Sequence, residues 1–370
     1  MAEPAHDASR TEPAIGGLRF MLVLMLACLA GCASQPKPVT ETPKPLVDRS
    51  ADTDYQVGEI EKKLQAASQY DREGNRQVAV AVIDTARQML PPESERERQY
   101  LDTVKAGVWA RPGEDRDGKK AADLLGPVAK FATDHKDRRL LADVLVARVL
   151  LNLGDKDKQQ ALKNADAALR ELSGVEAYAE EALTARRLSF EFMDAEDSAS
   201  AELFARRAFD TSRRLQDDRL ILQTGSDLAR LLLTTGGDAE YYFNLAYEAG
   251  FRMSGGGWGW RNIVITAAVD AYFTHDDMKN CVKWGDRLRD LDEGKLPSLE
   301  KSELWAEDYI SALAQYAFAS RKLGKAGPRA QEAAELAIAE INNMDEADRG
   351  AWDELAEKLR SGLLQEPREK

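Results

Sequence analysis

With 370 residues, 44% of them hydrophobic and 31% charged, the chain has the composition of a soluble fold with a core, and room for two ordinary domains or one elongated array of repeats. Aromatic residues make up only 7% while alanine is abundant, which disfavours a β-sandwich or barrel and favours helices packed closely through small side chains. The formal net charge is −13 with no long basic run, so the surface repels phosphate backbones and nucleic acid is not expected as a partner.

The first element in chain order is an apolar run of eleven residues, Phe20 to Ala30. It is too short to span a bilayer, which needs roughly 20 residues, and it fits the core of a signal peptide over residues 1–31. The run ends in Leu29-Ala30-Gly31-Cys32, which resembles the lipobox of bacterial lipoproteins. That resemblance implies cleavage before Cys32, diacylglycerol on its thiol and a further acyl chain on the freed amine. At about 0.8 kcal/mol per buried methylene, several chains hold a protein at a membrane where one would not. The competing reading is an ordinary secretory signal, or a buried helix that ends in cysteine. Ala33 follows the cysteine; in the lipoproteins it resembles, Asp at that place often retains the protein at the inner membrane, so the implied address is the outer membrane, on its periplasmic face. The mature chain would keep 49 basic and 61 acidic residues, a net charge of −12. Cys28 would leave with the signal, so a lipidated Cys32 and Cys281 could form no intramolecular disulfide.

Residues 32–53 read as a tether. Pro36, Pro38, Pro43 and Pro45 forbid helix and favour polyproline geometry, which at about 3.1 Å per residue spans several tens of Å.

From residue 54 to 365 the expectation is one helical repeat domain, followed by a polar tail over 366–370. Val78-Ala79-Val80-Ala81-Val82 alternates like a strand but lies inside a longer helical pattern, so it reads as helix. One mark recurs: a small residue, a second position four on, and a small residue three beyond that, all on one helix face. It is carried by Ala79/Ile83/Ala86, Ala122/Gly126/Ala129, Ala161/Ala165/Ala168, Ala201/Ala205/Ala208, Ala239/Phe243/Ala246, the weaker Cys281/Gly285/Leu288 and Ala330/Ala334/Ala337. Successive first members lie 43, 39, 40, 38, 42 and 49 residues apart. Seven helix pairs follow, each able to bury its apolar face only against its neighbours. Ala165 and Ala205 are expected to face the partner helix, and Cys281 to pack as a small apolar residue. From Asp345 to Leu364, Trp352, Leu355, Ala356, Leu359 and Leu363 share one side opposite charges, as a capping helix requires.

These marks resemble the tetratricopeptide repeat, a helix-turn-helix unit of about 34 residues. The first unit carries the resemblance best, with Ala67, Tyr70, Gly74, Ala79, Ile83, Ala86 and Pro91 at that repeat's relative spacing. Gly74 would close the turn between helices and Pro91 would stop the second. Later units keep Ala147/Leu150/Gly154, Ala229/Leu232/Gly236 and Ala317/Ser320/Gly324, but depart by insertions or deletions at the turn and by a longer period. The resemblance covers about residues 55 to 343 and implies an all-α helical-hairpin array. The rival is a non-repetitive alanine-rich bundle.

Residues for chemistry are sparse. His6 would go with the signal, leaving His135 and His275 140 residues apart, with no HExxH, no metal-spaced cysteine pair and no phosphate-binding glycine loop. No catalytic residue, cofactor or metal is therefore expected; carboxylates are plentiful, but nothing singles out a pair. Ser298-Leu299-Glu300-Lys301 matches the S-x-x-K string of penicillin-recognising enzymes, but its companion motifs are absent and it reads as a helix start capped by Ser298. The exception to the repeat is Met253 to Arg261, which gathers four glycines with Trp258 and Trp260 between the fifth and sixth pairs. Two readings stand: a loop whose tryptophans cover the inter-repeat core, or a contact site in which Trp258, Trp260 and Arg261 bind a partner.

The functional expectation is a membrane-anchored, non-catalytic scaffold that binds envelope proteins, as an assembly or regulatory factor. The alternative is an envelope enzyme or ligand-binding protein that uses the repeat groove for a peptide or glycan.

Overall fold

The computed structural model describes residues 51–113, 115–253, 258–293, 303–325, 327–344, 349–350 and 352–363. Cys32, the tether through residue 50 and the Ser298 motif lie outside the described residues, as do residues 254–257 of the glycine-rich stretch.

Among the described residues every regular element is an α-helix. The first six are α1 (Ala51–Arg72), α2 (Arg76–Met89), α3 (Glu95–Ala110), α4 (Gly118–Asp134), α5 (Arg138–Gly154) and α6 (Lys158–Ser173). Then come α7 (Tyr178–Asp194), α8 (Ser198–Leu215), α9 (Asp218–Thr235), α10 (Ala239–Arg252) and α11 (Trp258–Thr274). The last are α12 (Met278–Glu293), α13 (Glu303–Lys322), α14 (Pro328–Asn342) and α15 (Asp353–Leu363). The valine-alanine alternation of residues 78–82 lies within α2, as its wider pattern requires. The helix expected from Asp345 begins at Asp353 among the described residues, with Ala356 and Leu359 buried against α13 and α14.

The chain is an all-α array of helical hairpins, and the small-residue marks explain the pairing. Each even-numbered helix from α2 to α14 carries one mark. Six marks are buried as expected: Ala79, Ile83 and Ala86 have no exposed surface, nor do Ala161, Ala165 and Ala168. Small side chains on that stripe let neighbouring helices approach closely, and larger apolar residues beside them are removed from water. Each fully buried leucine or isoleucine, such as Ile83 or Leu169, contributes roughly 1.5–3 kcal/mol against its exposed state. The second mark is shifted by one residue. On α4 the buried face is Ala121, Leu125, Val128 and Ala132, while Ala122 and Gly126 are exposed and Ala129 is half-buried. Two adjacent alanines each begin a spacing of the right form, and the larger apolar residues Leu125 and Val128 decide which face turns inward.

The turns depart further from expectation. Gly74, Gly236 and Gly324 take left-handed conformations, with φ of 81°, 85° and 69°, but Gly154 remains inside α5 and Lys156 takes that role at φ 62°. Lys136, Glu176, Glu196, Gln216 and Asp276 do the same at other connections. A side chain in this region costs roughly 1–2 kcal/mol. The residue that follows offsets the cost at several of these turns. After Lys156, the Asp157 N–H donates to Asn152 O at 2.8 Å, closing α5, while its carboxylate accepts from Gln160 N at 3.0 Å, opening α6. Asp137, Asp197 and Asp277 repeat both bonds.

Polar contacts recur at about one repeat length. Arg111 donates to Asp71 at 2.7 Å across 40 positions, Arg230 to Asp270 at 2.9 Å across 40, and Arg287 to Asn244 at 2.8 Å across 43. The exposed pairs among them, such as Arg230–Asp270, are worth little individually, whereas Asp71 is nearly buried.

The described residues up to Arg187 form one compact unit and those from Leu188 a second. In the first, three apolar clusters built on Ile60/Leu64/Ile83, Leu125/Leu140/Leu150 and Val146/Leu172 make the core. In the second, aromatic rings fill it: Phe192 stacks on Phe204 at 5.2 Å, and Phe243 meets Tyr272 and Trp284 at 5.7 Å each. Cys281 is fully buried there, as expected, and burial pushes its thiol up to about 12, far from the reactive thiolate.

Candidate functional site

In the first unit, a cavity of about 100 Å³ opens along the odd-numbered helices. Four hairpins contribute to it: Leu64, Ala67 and Asp71 from α1, Val104 and Gly107 from α3 with Arg111 just past its end, Asp143 and Ala147 from α5, and Leu183 and Arg187 from α7. The floor is apolar because residues three and four apart on each helix are apolar, and the space exists because three of the closest positions are Ala67, Gly107 and Ala147. Charged side chains of both signs stand in its lining. Asp71 is 5% exposed at its side chain and accepts from Arg111 at 2.7 Å, with Arg76 Nε 3.8 Å away.

Gly107 distinguishes this cavity from a packing defect that no residue could cure. A methyl group added there would meet only Leu150 Cδ1, at an ordinary 3.6 Å. Alanine would therefore fit, and glycine in a helix interior forfeits roughly 0.5–1 kcal/mol relative to it. Gly285 of α12 is different, since a methyl group there would collide with the Tyr316 ring. The glycine of α12 is needed for helix contact; that of α3 lines the cavity, and no close helix contact requires it.

The second unit places the tryptophan stretch. Trp258, Gly259, Trp260 and Arg261 form the first turn of α11, where a loop was one of the readings. Gly250 explains how the helices come so close: a methyl group on it would stand 3.2 Å from Trp260 O and 3.1 Å from Leu222 Cδ1. Trp260 is half-buried, with the Arg219 guanidinium 6.0 Å from its ring centroid. Arg261, also half-buried, lies 4.4 Å over the ring of Phe251, which is 55% exposed. The structure thus brings Trp260 and Arg261 together with two residues that sequence reasoning missed. The signal for Phe251 was available: it falls one position off the buried stripe that Phe243, Ala246 and Gly250 share. Arg219 had none, because it comes from a different hairpin.

Among the described residues no group of three or more His, Cys, Asp or Glu side chains is placed to hold a metal ion, and no helix is long and apolar enough to cross a membrane. The arrangement defines a helical-hairpin array with an apolar cavity and an aromatic–guanidinium patch. No family model matches the chain, and no curated protein matches it either.

Proposed function

We propose that this protein is a lipid-anchored, non-catalytic scaffold of the bacterial envelope, built on repeats of tetratricopeptide type, that holds an extended segment of another protein in the cavity of its first unit. The observation that supports the reading most is the cavity itself, lined by four successive odd-numbered helices, with Gly107 in its wall where alanine would fit and would favour the helix. A volume of about 100 Å³ is smaller than the engineered cavities of about 150 Å³ that hold benzene, so it suits one or two aliphatic side chains. The flanking hydroxyls of Ser68 and Thr184 offer partners to a peptide backbone. The anchor is inferred from Leu29-Ala30-Gly31-Cys32, and the outer membrane as its address from Ala33 after the cysteine.

The test is site-specific photocrosslinking in intact cells from position 104, beside the cavity, with position 203 as an exposed control in the second unit. The expected result is a discrete crosslinked partner from position 104 that is lost when Gly107→Leu fills the cavity. A partner captured equally from both positions, or undisturbed by Gly107→Leu in a folded variant, would overturn the cavity as the binding site. Labelled fatty acid that enters the wild type and is absent from Cys32→Ser tests the anchor separately.

A further inference from the structure

We propose that Glu61 reads the charge of the segment held in the first unit's cavity, and that this segment carries a lysine or arginine one or two residues from its buried aliphatic anchor. The inference rests on the cavity as the binding site. Glu61, Leu64, Ser68 and Asp71 follow one another on α1 at intervals of three, four and three residues, which places them on a single stripe of the helix. The last three line the cavity. Glu61 extends that lining by one turn, with its Cβ about 5–6 Å from that of Leu64.

The carboxylate of Glu61 is unmatched. Glu61 is half-buried, and its Oε1 is closed off from solvent without a hydrogen-bond partner. Burial raises its carboxyl above the ordinary value, and no neighbouring cation offsets the shift. The lysines beside it serve another group: Lys62 is bound to Glu59 at 2.8 Å, and Lys63 acts on Glu59 as well. The charges of the cavity lining are already engaged. Asp71 is bound to Arg111 at 2.7 Å, and Asp143 and Arg187 have partners within the protein. Arg76 pairs with Asp71 at the far end of the stripe. Ten residues at 1.5 Å each put that end about 15 Å from Glu61, beyond the reach of a screened charge.

An ammonium or guanidinium brought by the guest supplies the counter-ion that a desolvated carboxylate lacks. Consecutive residues of an extended segment lie about 3.3 Å apart, so a long basic side chain one or two positions from the anchor spans the single turn from the cavity to Glu61. The formal charge of −13 attracts such a segment at longer range too.

The experiment selects a display pool of random dodecapeptides on the full chain in detergent micelles, and in parallel on Glu61→Gln, Glu61→Lys and Gly107→Leu. Thermal melts confirm that the variants fold. The wild type is expected to enrich peptides with an aliphatic residue and a lysine or arginine one or two positions away. Their recovery should fall at least tenfold on Glu61→Gln, while Glu61→Lys should enrich aspartate or glutamate at the same place. Gly107→Leu should lose the enriched peptides altogether. A wild-type pool without basic enrichment, or recovery on Glu61→Gln equal to wild type, overturns the inference, and loss on Gly107→Leu then leaves the cavity standing as the site. Recovery unchanged on Gly107→Leu overturns the cavity and the inference with it. A Glu61-dependent self-association in sedimentation, or a photocrosslink from position 104 to the chain's own residues 33–50, assigns the cavity another occupant and also overturns the inference.

Discussion

The two units use one helical motif with two kinds of filling. Among the side chains of the first unit whose burial is described, no aromatic one is fully buried: Tyr100, Trp109 and Phe131 are half-buried, and Tyr70 and Tyr178 are exposed. The second unit buries Phe192, Phe204, Phe209, Phe243, Tyr272 and Trp284. Aliphatic and small side chains on hairpins of this size leave room at the crossing of four helices, and the cavity of the first unit is that room. In the second unit aromatic rings take a large share of the buried interior, and Phe251, exposed, sits at the end of α10. The difference teaches that a repeat can be specialised by residue volume alone, without altering its backbone pattern.

The comparison breaks first at the aromatic core. Trp284 is fully buried, touches Phe243, and has the Arg287 guanidinium 4.1 Å over its ring. Trp284→Ala should cost about 3–5 kcal/mol in urea unfolding, confined to the second unit when read by hydrogen exchange. An equal loss of protection in both units would show that they do not respond separately. Overpacking comes next. Ala165 and Ala205 are 0% and 3% exposed, one in each unit, so Ala165→Leu and Ala205→Leu should each cost about 1–3 kcal/mol. Unchanged melts for both would argue against the buried stripe.

The smallest expected effect has the opposite sign. Gly107→Ala should stabilise the first unit by roughly 0.5–1 kcal/mol while weakening capture from the cavity. Destabilisation by that change would mean the glycine serves helix packing, as Gly285 does. A chemical probe sharpens the contrast further. Burial raises the folded thiol of Cys281 from 9.0 to about 12, so folding favours the neutral thiol. Its contribution to stability is complete below pH 9 and fades as pH rises from 9 toward 12. Iodoacetamide at pH 8 should therefore leave Cys281 unmodified until denaturant is added, as mass spectrometry of the peptide would record.

The pairing of helices was legible because it rests on a local pattern: small residues spaced by four and three stay on one face wherever the hairpin goes. Its failure on α4 is equally physical, since Ala121 and Ala122 satisfy the same spacing and only Leu125 and Val128 break the tie. The turns were legible where glycine marks the left-handed residue, as at Gly74. They were not legible at Lys156 or Glu196, where the following aspartate closes one helix and opens the next. Trp260 and Arg261 could be singled out from their unusual composition, but Arg219 reaches them only through the fold. The cavity left almost no trace in sequence, because Ala67, Gly107 and Ala147 lie on three hairpins and each looks like ordinary helix filler.

Those aspartate turns carry a mechanical consequence. At Asp137, Asp157, Asp197 and Asp277 a single residue belongs to the ends of two helices, so the connection holds no slack chain that could act as a hinge. Within a unit, a pull on one helix cannot be absorbed at such a joint. It passes on as a slight rotation of the next helix about its packed face, so tension across these joints is taken up as small tilts instead of one opening.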